Sequence, residues 1–204
     1  MVYGDGDGII FERFTKSIDI IAHELTHGIT QREANLAYYG QSGALNESMS
    51  DVFGSLIKQW ILKQNSSQAD WIMGSGLFKP KIKGLGLRSL KQPGTAYDDP
   101  RLGKDPQPAH MDEYYNGPED NGGVHINSGI PNYAFYLAAS AIGGYAWERI
   151  GRIWYLTLRD SLRWDANFEQ AAQSTIIIAK QIYGVRSKET NAIIKAWRQV
   201  GVIR

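Results

Sequence analysis

The sequence predicts a mainly α-helical domain, an orthogonal bundle with a short β contribution at the N-terminus. Apolar residues recur at helical spacing over residues 17–60 and again from Ser128 to the C-terminus, the rhythm of helices that bury one face. Between them, residues about 64 to 126 hold six of the seven prolines and many of the glycines, which interrupt regular structure. At 204 residues and 43% hydrophobic content, the chain suffices for one domain with a real core. No internal repeat or low-complexity tract divides it.

The first element is a short extended lead-in, followed by a helix in which Ile18, Ile21, Ala22, Leu25 and Ile29 follow the spacing of a buried stripe. Ser17 is available as N-cap, and Asp19 sits favourably in the first turn. His23-Glu24-Leu25-Thr26-His27 lies within this helix. Side chains four residues apart on a helix stand on one face, about 6 Å apart at Cβ, so both imidazoles can reach one ion. Glu24 is turned roughly 100° from His23, near a bound metal without being forced to ligate it, and so suits a general base.

A catalytic zinc normally takes three protein ligands and keeps one position for water. Glu47 is the candidate third donor. It belongs to a second helix whose stripe is Leu45, Met49, Val52, Phe53, Leu56 and Trp60, with Gly40 and Gly43 permitting the turn between the two helices. An antiparallel pair carries Glu47 back toward the histidines. Asp51, one turn further, can accept the remaining N–H of a ligating ring.

The irregular region is too long for an idle loop inside a compact domain, which predicts that it carries functional groups. The C-terminal part reads as helices with stripes Trp147, Ile150, Trp154 and Leu158, then Phe168, Ala172, Thr175, Ile176 and Ala179, then Ile193, Ile194, Trp197 and Val200. Gly143-Gly144, Asp165-Ala166-Asn167 and Gly184 punctuate them.

A formal net charge of +1 gives no reason to expect nucleic acid or an anionic membrane as partner. No apolar run is long enough to cross a bilayer, and no signal peptide is seen at the start. The absence of cysteine excludes disulfides and thiol catalysis while leaving the compartment open.

With the segments Met1–Gly8, His23–His27, Ser42–Asp51 and Asp120–Gly129 in this order, the chain resembles the thermolysin family of zinc endopeptidases almost end to end. The resemblance implies His23, His27 and Glu47 as ligands of one zinc and Glu24 as catalytic base. Tyr38 and His125 correspond to the groups that stabilise the oxyanion, and Asp120 to the carboxylate that orients that histidine. Arg88 corresponds to the arginine that holds the substrate backbone, while Asn46 and Asp51 correspond to partners of the zinc-binding histidines. Phe11, Phe14, Ile20 and Leu87 fall where the family lines its pocket for the residue after the cleaved bond. On residue type alone Tyr38 and these four are ordinary core or surface residues, and Arg88 an ordinary ion-pair partner. His110, with nothing of ligand spacing beside it, reads as structural.

The resemblance also implies calcium sites, and here the sequence departs from the pattern. Acidic calcium ligands of the family are replaced at Lys58, Ser75 and Leu85, while Asp19 and Asp70 remain. Two carboxylates make a weak cage for an ion wanting six to eight oxygens, so calcium is predicted absent there, with the Lys58 ammonium paired to Asp19 or Asp70 instead.

The resulting expectation is a single catalytic domain over 1–204, with the zinc-binding helices in 1–60, the functional loop region in 64–126 and C-terminal helices in 128–204. It is expected to hydrolyse peptide bonds before bulky hydrophobic residues through a zinc-activated water. Secretion is implied by the resemblance only. The family's preceding β-rich domain, which supplies the other wall of its cleft, is absent from this chain. The alternative is therefore a zinc-binding fragment with little activity of its own, acting as a binding module until that domain completes it.

Overall fold

The computed structural model describes residues 3–204, so Met1 and Val2 of the expected lead-in lie outside the described residues. Within them the chain forms helices α1 (Ile18–Glu33), α2 (Gly40–Ile61), α3 (Glu119–Asn127), α4 (Gly129–Ile142), α5 (Ile150–Asp160), α6 (Phe168–Tyr183) and α7 (Lys188–Gln199). The β contribution is small. At the N-terminus it is an isolated bridge between Phe11 and Phe78. The paired strands lie in the loop region instead. Strand β1 (Ile72–Met73) runs antiparallel to β2 (Arg88–Ser89), and β3 (Asp98–Asp99) antiparallel to β4 (Gly103–Lys104).

Helix α2 is the axis of the bundle. Ala44, Leu45, Met49, Val52 and Leu56 are buried as expected, but so are Ser42, Asn46, Glu47, Ser48, Ser50, Asp51, Ser55 and Gln59. A helix that buries this many polar groups must find them partners, and much of that pairing builds the site. Trp60, assigned to the stripe from its spacing, is exposed. Gly40 takes a left-handed φ of 54° at the turn into α2. Gly43 has a different task from the expected turn: a β-carbon there would lie 2.4 Å from a Val124 methyl, so its lack of one lets α2 approach α3.

Helix α1 corrects the sequence reading. Ile18, Leu25 and Ile29 are 40%, 54% and 48% exposed, whereas Asp19, Ile20, Ala22, His23, Thr26 and Thr30 are buried. The face packed on α2 is the polar and small one, because that face carries the groups that must meet Asn46, Glu47 and Asp51. Its approach is close enough that Gly54 is required: a β-carbon there would stand 2.5 Å from the Asp19 carbonyl oxygen and 2.9 Å from Met73 Cε. Ser17 occupies the N-cap position, but its hydroxyl donates to the Asp19 carboxylate, which itself accepts from the Ile20 N–H at 2.9 Å.

The C-terminal helices bury Ile150, Trp154, Leu158, Phe168, Ala172, Ala179, Ile193, Trp197 and Val200. Trp154 and Trp197 stack with ring centroids 6.1 Å apart, and the Trp197 indole N–H donates to Thr175 Oγ1 at 2.9 Å, so a buried polar atom on each side is satisfied. A capping box between Asn167 and Gln170 starts α6. His110 is structural: its Nδ1 accepts from the Asp112 N–H at 3.1 Å and its ring packs against Gly201. Gly54→Ala should separate α1 from α2 and destabilise the fold by about 1–3 kcal/mol. Urea unfolding measures this, and an unchanged midpoint would contradict the close approach.

Candidate metal centre

One turn of α1 carries His23 and His27, whose Nε2 atoms face each other at 3.0 Å. Glu47 reaches across from α2, placing Oε2 3.4 Å from His23 Nε2 and Oε1 3.4 Å from His27 Nε2. These three residues offer ligand atoms all within 4.8 Å of one another. The Oε2 atom of Glu47 is buried without a hydrogen-bond partner in the protein, an arrangement that costs free energy unless something positive sits against it. Two imidazole nitrogens and a carboxylate converging there are the donor set of a catalytic zinc site, so the residues fit that ion.

The rear nitrogens of both rings are held. His27 Nδ1 donates to Asn46 Oδ1 at 2.8 Å, with Ser50 Oγ 3.2 Å from the same nitrogen. His23 Nδ1 lies 2.9 Å from Asp51 Oδ1. Each contact fixes a tautomer that leaves Nε2 toward the ion. Asp51, fully buried, also receives Arg88 Nε at 2.8 Å and Nη2 at 2.7 Å, and the Asn132 amide at 2.9 Å. Ser50 and Asn132 were not found from the sequence. Ser50 had a signal, lying one helical turn after Asn46. Asn132, on α4, had none.

Burial opposes protonation of His23, but the facing carboxylates of Asp51 and Glu47 outweigh it and raise its pKa to about 9. Burial likewise disfavours the charged Glu47, yet His23 and Arg88 hold its carboxyl down at about 2. Asp51 stays well below the ordinary carboxylate range against its own burial because Arg88 and His23 face it. Burial and the Glu47 charge push the Tyr38 phenol upward, which keeps it a hydrogen-bond donor.

Tyr38 donates to Glu47 Oε1, and its hydroxyl is 3.2 Å from His125 Nε2. His125 is presented by an unusual backbone. Asp120, Asn121, Gly122 and Gly123 all adopt left-handed conformations, with φ of 54°, 51°, 78° and 78°. Such geometry is disfavoured for the two non-glycine residues. In return the Asp120 carboxylate doubles back on the following turn, accepting from the His125 N–H at 2.7 Å, the Ile126 N–H at 3.3 Å and His125 Nδ1 at 2.6 Å. Behind the segment, Gln107 Nε2 donates to the His125 carbonyl at 2.7 Å.

These groups surround a cleft of about 450 Å³ lined by His23, Glu24, His27, Tyr38, Glu47 and His125 among others. Arg88 lies behind it, mostly buried and bound in bidentate fashion to Asp51. The four expected pocket residues are not among the lining groups. Phe11 packs 5.6 Å from Phe14 and from Phe78, Ile20 is buried in the core, and Phe14 and Leu87 pack partly buried against that core.

A helical domain in which a histidine pair and a glutamate from the adjacent helix share one focus, with a second carboxylate at the cleft, defines a metallopeptidase-type centre. Residues 34–202 match the family model described as thermolysin metallopeptidase, alpha-helical domain, and residues 1–31 that described as thermolysin metallopeptidase, catalytic domain. The chain belongs to the thermolysin metallopeptidase family. An extracellular metalloprotease of Pectobacterium carotovorum subsp. carotovorum is 58% identical over 203 residues, covering 99% of this chain and 58% of that protein. Thermolysin of Alicyclobacillus acidocaldarius subsp. acidocaldarius is 39% identical over 209 residues, covering 99% of this chain and 36% of that protein. The solved precursor of protealysin, a metalloproteinase from Serratia proteamaculans, superposes with a TM-score of 0.97 at 59% identity, covering all of this chain and 63% of that one. The chain thus spans less than two thirds of the length of these relatives.

Two outcomes follow from this geometry. Gly123→Ala forces a β-carbon to 2.7 Å from Asn127 Nδ2 and Tyr115 Cδ1 at a left-handed φ, so hydrogen-exchange protection of the His125 and Ile126 amides should fall while metal content is unchanged. Because a proton on His23 must leave before the ring can ligate, zinc affinity should weaken as pH falls below about 9, by up to about tenfold per unit. Isothermal titration in buffers of different ionisation enthalpy measures the released proton, and pH-independent uptake would contradict the assignment.

Proposed function

We propose that residues 1–204 form the catalytic domain of a zinc metalloendopeptidase that hydrolyses peptide bonds on the N-terminal side of bulky hydrophobic residues. The observation carrying this reading is the convergence of His23, His27 and Glu47 in a cleft that also receives Glu24, Tyr38 and His125. Zinc bound by the three ligands supplies Lewis acidity, which acidifies water and polarises a peptide carbonyl. Glu24 accepts a proton from the attacking water as the new C–O bond forms, and returns it to the amine nitrogen as the C–N bond breaks. Negative charge grows on the carbonyl oxygen, where the Tyr38 hydroxyl and the His125 Nε2–H donate hydrogen bonds from positions fixed beforehand. Asp120, accepting from Nδ1–H, supports His125 as the imidazolium whose Nε2–H donates, whereas Asn46 and Asp51 hold His27 and His23 in the neutral tautomer that leaves Nε2 free to ligate.

Arg88 holds the substrate backbone beside the scissile bond, and Phe11, Phe14, Ile20 and Leu87, which stand outside the lining of the free cleft, are the family-matched residues for the apolar pocket of the following residue. Two of the relatives are named extracellular metalloproteases, and no described helix is long and apolar enough to cross a membrane. Secretion of the whole protein fits these names.

The exposed strip of Ile18, Leu25 and Ile29 on α1 favours a second reading for the chain by itself. Relatives carry length beyond it, and the strip is apolar surface of the kind a further domain covers. Orientation and proximity supply on the order of 7–11 kcal/mol of catalysis in favourable cases, so an intact metal centre without its second wall would bind zinc and turn over poorly.

Metal analysis combined with cleavage of a peptide containing an apolar residue, with and without chelator, tests both. One equivalent of zinc with chelator-sensitive cleavage supports the peptidase. Zinc without cleavage supports the binding module. Glu24→Ala should retain zinc and lose at least about 10²-fold in kcat, and His125→Ala about 10²-fold to 10³-fold; wild-type turnover in either variant would remove that residue from the reaction.

A further inference from the structure

Away from the cleft, the last turn of α2 sends Lys58 into a cradle of oxygens contributed by two separate segments. Its Nζ lies 3.0 and 2.9 Å from the two carboxylate oxygens of Asp70, 2.9 Å from the Ile72 carbonyl and 3.3 Å from Asp19 Oδ2. The side chain is only 12% exposed. Asp19 is wholly buried in the first turn of α1, one turn before His23. Asp70 and Ile72 belong to the stretch that enters β1, whose Met73 pairs with Arg88 of β2.

The same oxygens are a poor fit for calcium. That ion takes six to eight oxygens at about 2.3–2.6 Å, and here much of the available valence is already used. Asp19 Oδ1 accepts from the Ser17 hydroxyl and the Ile20 N–H, Asp19 Oδ2 from the Gly74 N–H at 3.1 Å, and Asp70 Oδ1 from the Ile72 N–H at 3.0 Å. Neither Ser75 nor Leu85 brings a carboxylate. An ammonium, by contrast, needs three acceptors spread around one side, and finds four.

We propose that Lys58 is a tethered cation that takes the place of a divalent ion, tying the start of α1, the end of α2 and the β1 approach together without calcium. A buried carboxylate such as Asp19 needs an opposite charge, and a covalently attached one cannot be lost to dilution or to a chelator. The scaffold beside His23 therefore survives chelation that strips the catalytic site, and the metal centre can be refilled with zinc alone.

Thermal unfolding of the full-length zinc-loaded protein, with and without millimolar calcium, tests this. Lys58→Met leaves the two carboxylates facing an apolar side chain and should lower Tm by on the order of 10 °C, with no recovery on adding calcium. Lys58→Glu supplies a third carboxylate, so it should be the less stable of the two without calcium, regain several degrees with it, and bind one calcium more than the wild type by equilibrium dialysis. A Lys58→Glu protein that can be purified only in calcium would also support the proposal. A Lys58→Met protein melting within about 2 °C of wild type would reduce Lys58 to a surface residue and overturn it. So would Lys58→Glu binding no additional calcium, or a wild-type calcium response abolished by Asp70→Asn.

Discussion

The rest of the centre depends on one buried carboxylate, Asp51. It has no exposure to solvent and is answered by the His23 ring, both forks of Arg88 and the Asn132 amide. A charge in that position is tolerated only when its partners are complete, and the loss of any one leaves an uncompensated ion. The consequence is architectural. Helix α1 supplies the imidazole, α2 the carboxylate, β2 the guanidinium and α4 the amide, so the orientation of a metal ligand is set jointly by four elements far apart in the chain. The long irregular region is thereby part of the metal centre even where it touches no ion.

How much of this was legible in the sequence varies with the range of the interaction. The His23–His27 spacing and the return of Glu47 are local or nearly local facts, and they placed three donor atoms around one point. Asp51 followed from the same helical geometry, and Asn46 from the family resemblance. The burial of α1 did not, because spacing reports a stripe but not what covers it. Ile18, Leu25 and Ile29 have the rhythm of a core face and are exposed, while the face toward α2 carries Asp19, His23, Thr26 and Thr30. A helix that must present polar groups inward for chemistry inverts the usual inference. Trp60 misled because spacing continues the α2 stripe into a last turn where this side chain is left exposed.

Other features leave weaker traces. Two adjacent glycines at Gly122 and Gly123 mark a permissive backbone, yet nothing in the residue types says that Asp120 and Asn121 join them in a left-handed turn. That depends on the Asp120 carboxylate folding back on His125, a contact formed only once the turn exists. Asn132 is unreadable by spacing because its partner is 81 residues away. The two-residue strands are likewise too short to alternate.

The division of labour within α1 has an evolutionary reading. One side of this helix is bound to Asp51, Glu47 and the α2 backbone, where almost any replacement disturbs several neighbours. The other, along Ile18, Leu25 and Ile29, is turned toward solvent. Substitutions on the outer side can therefore change the surface the helix offers while the contacts around Asp51 and Glu47 stay as they are.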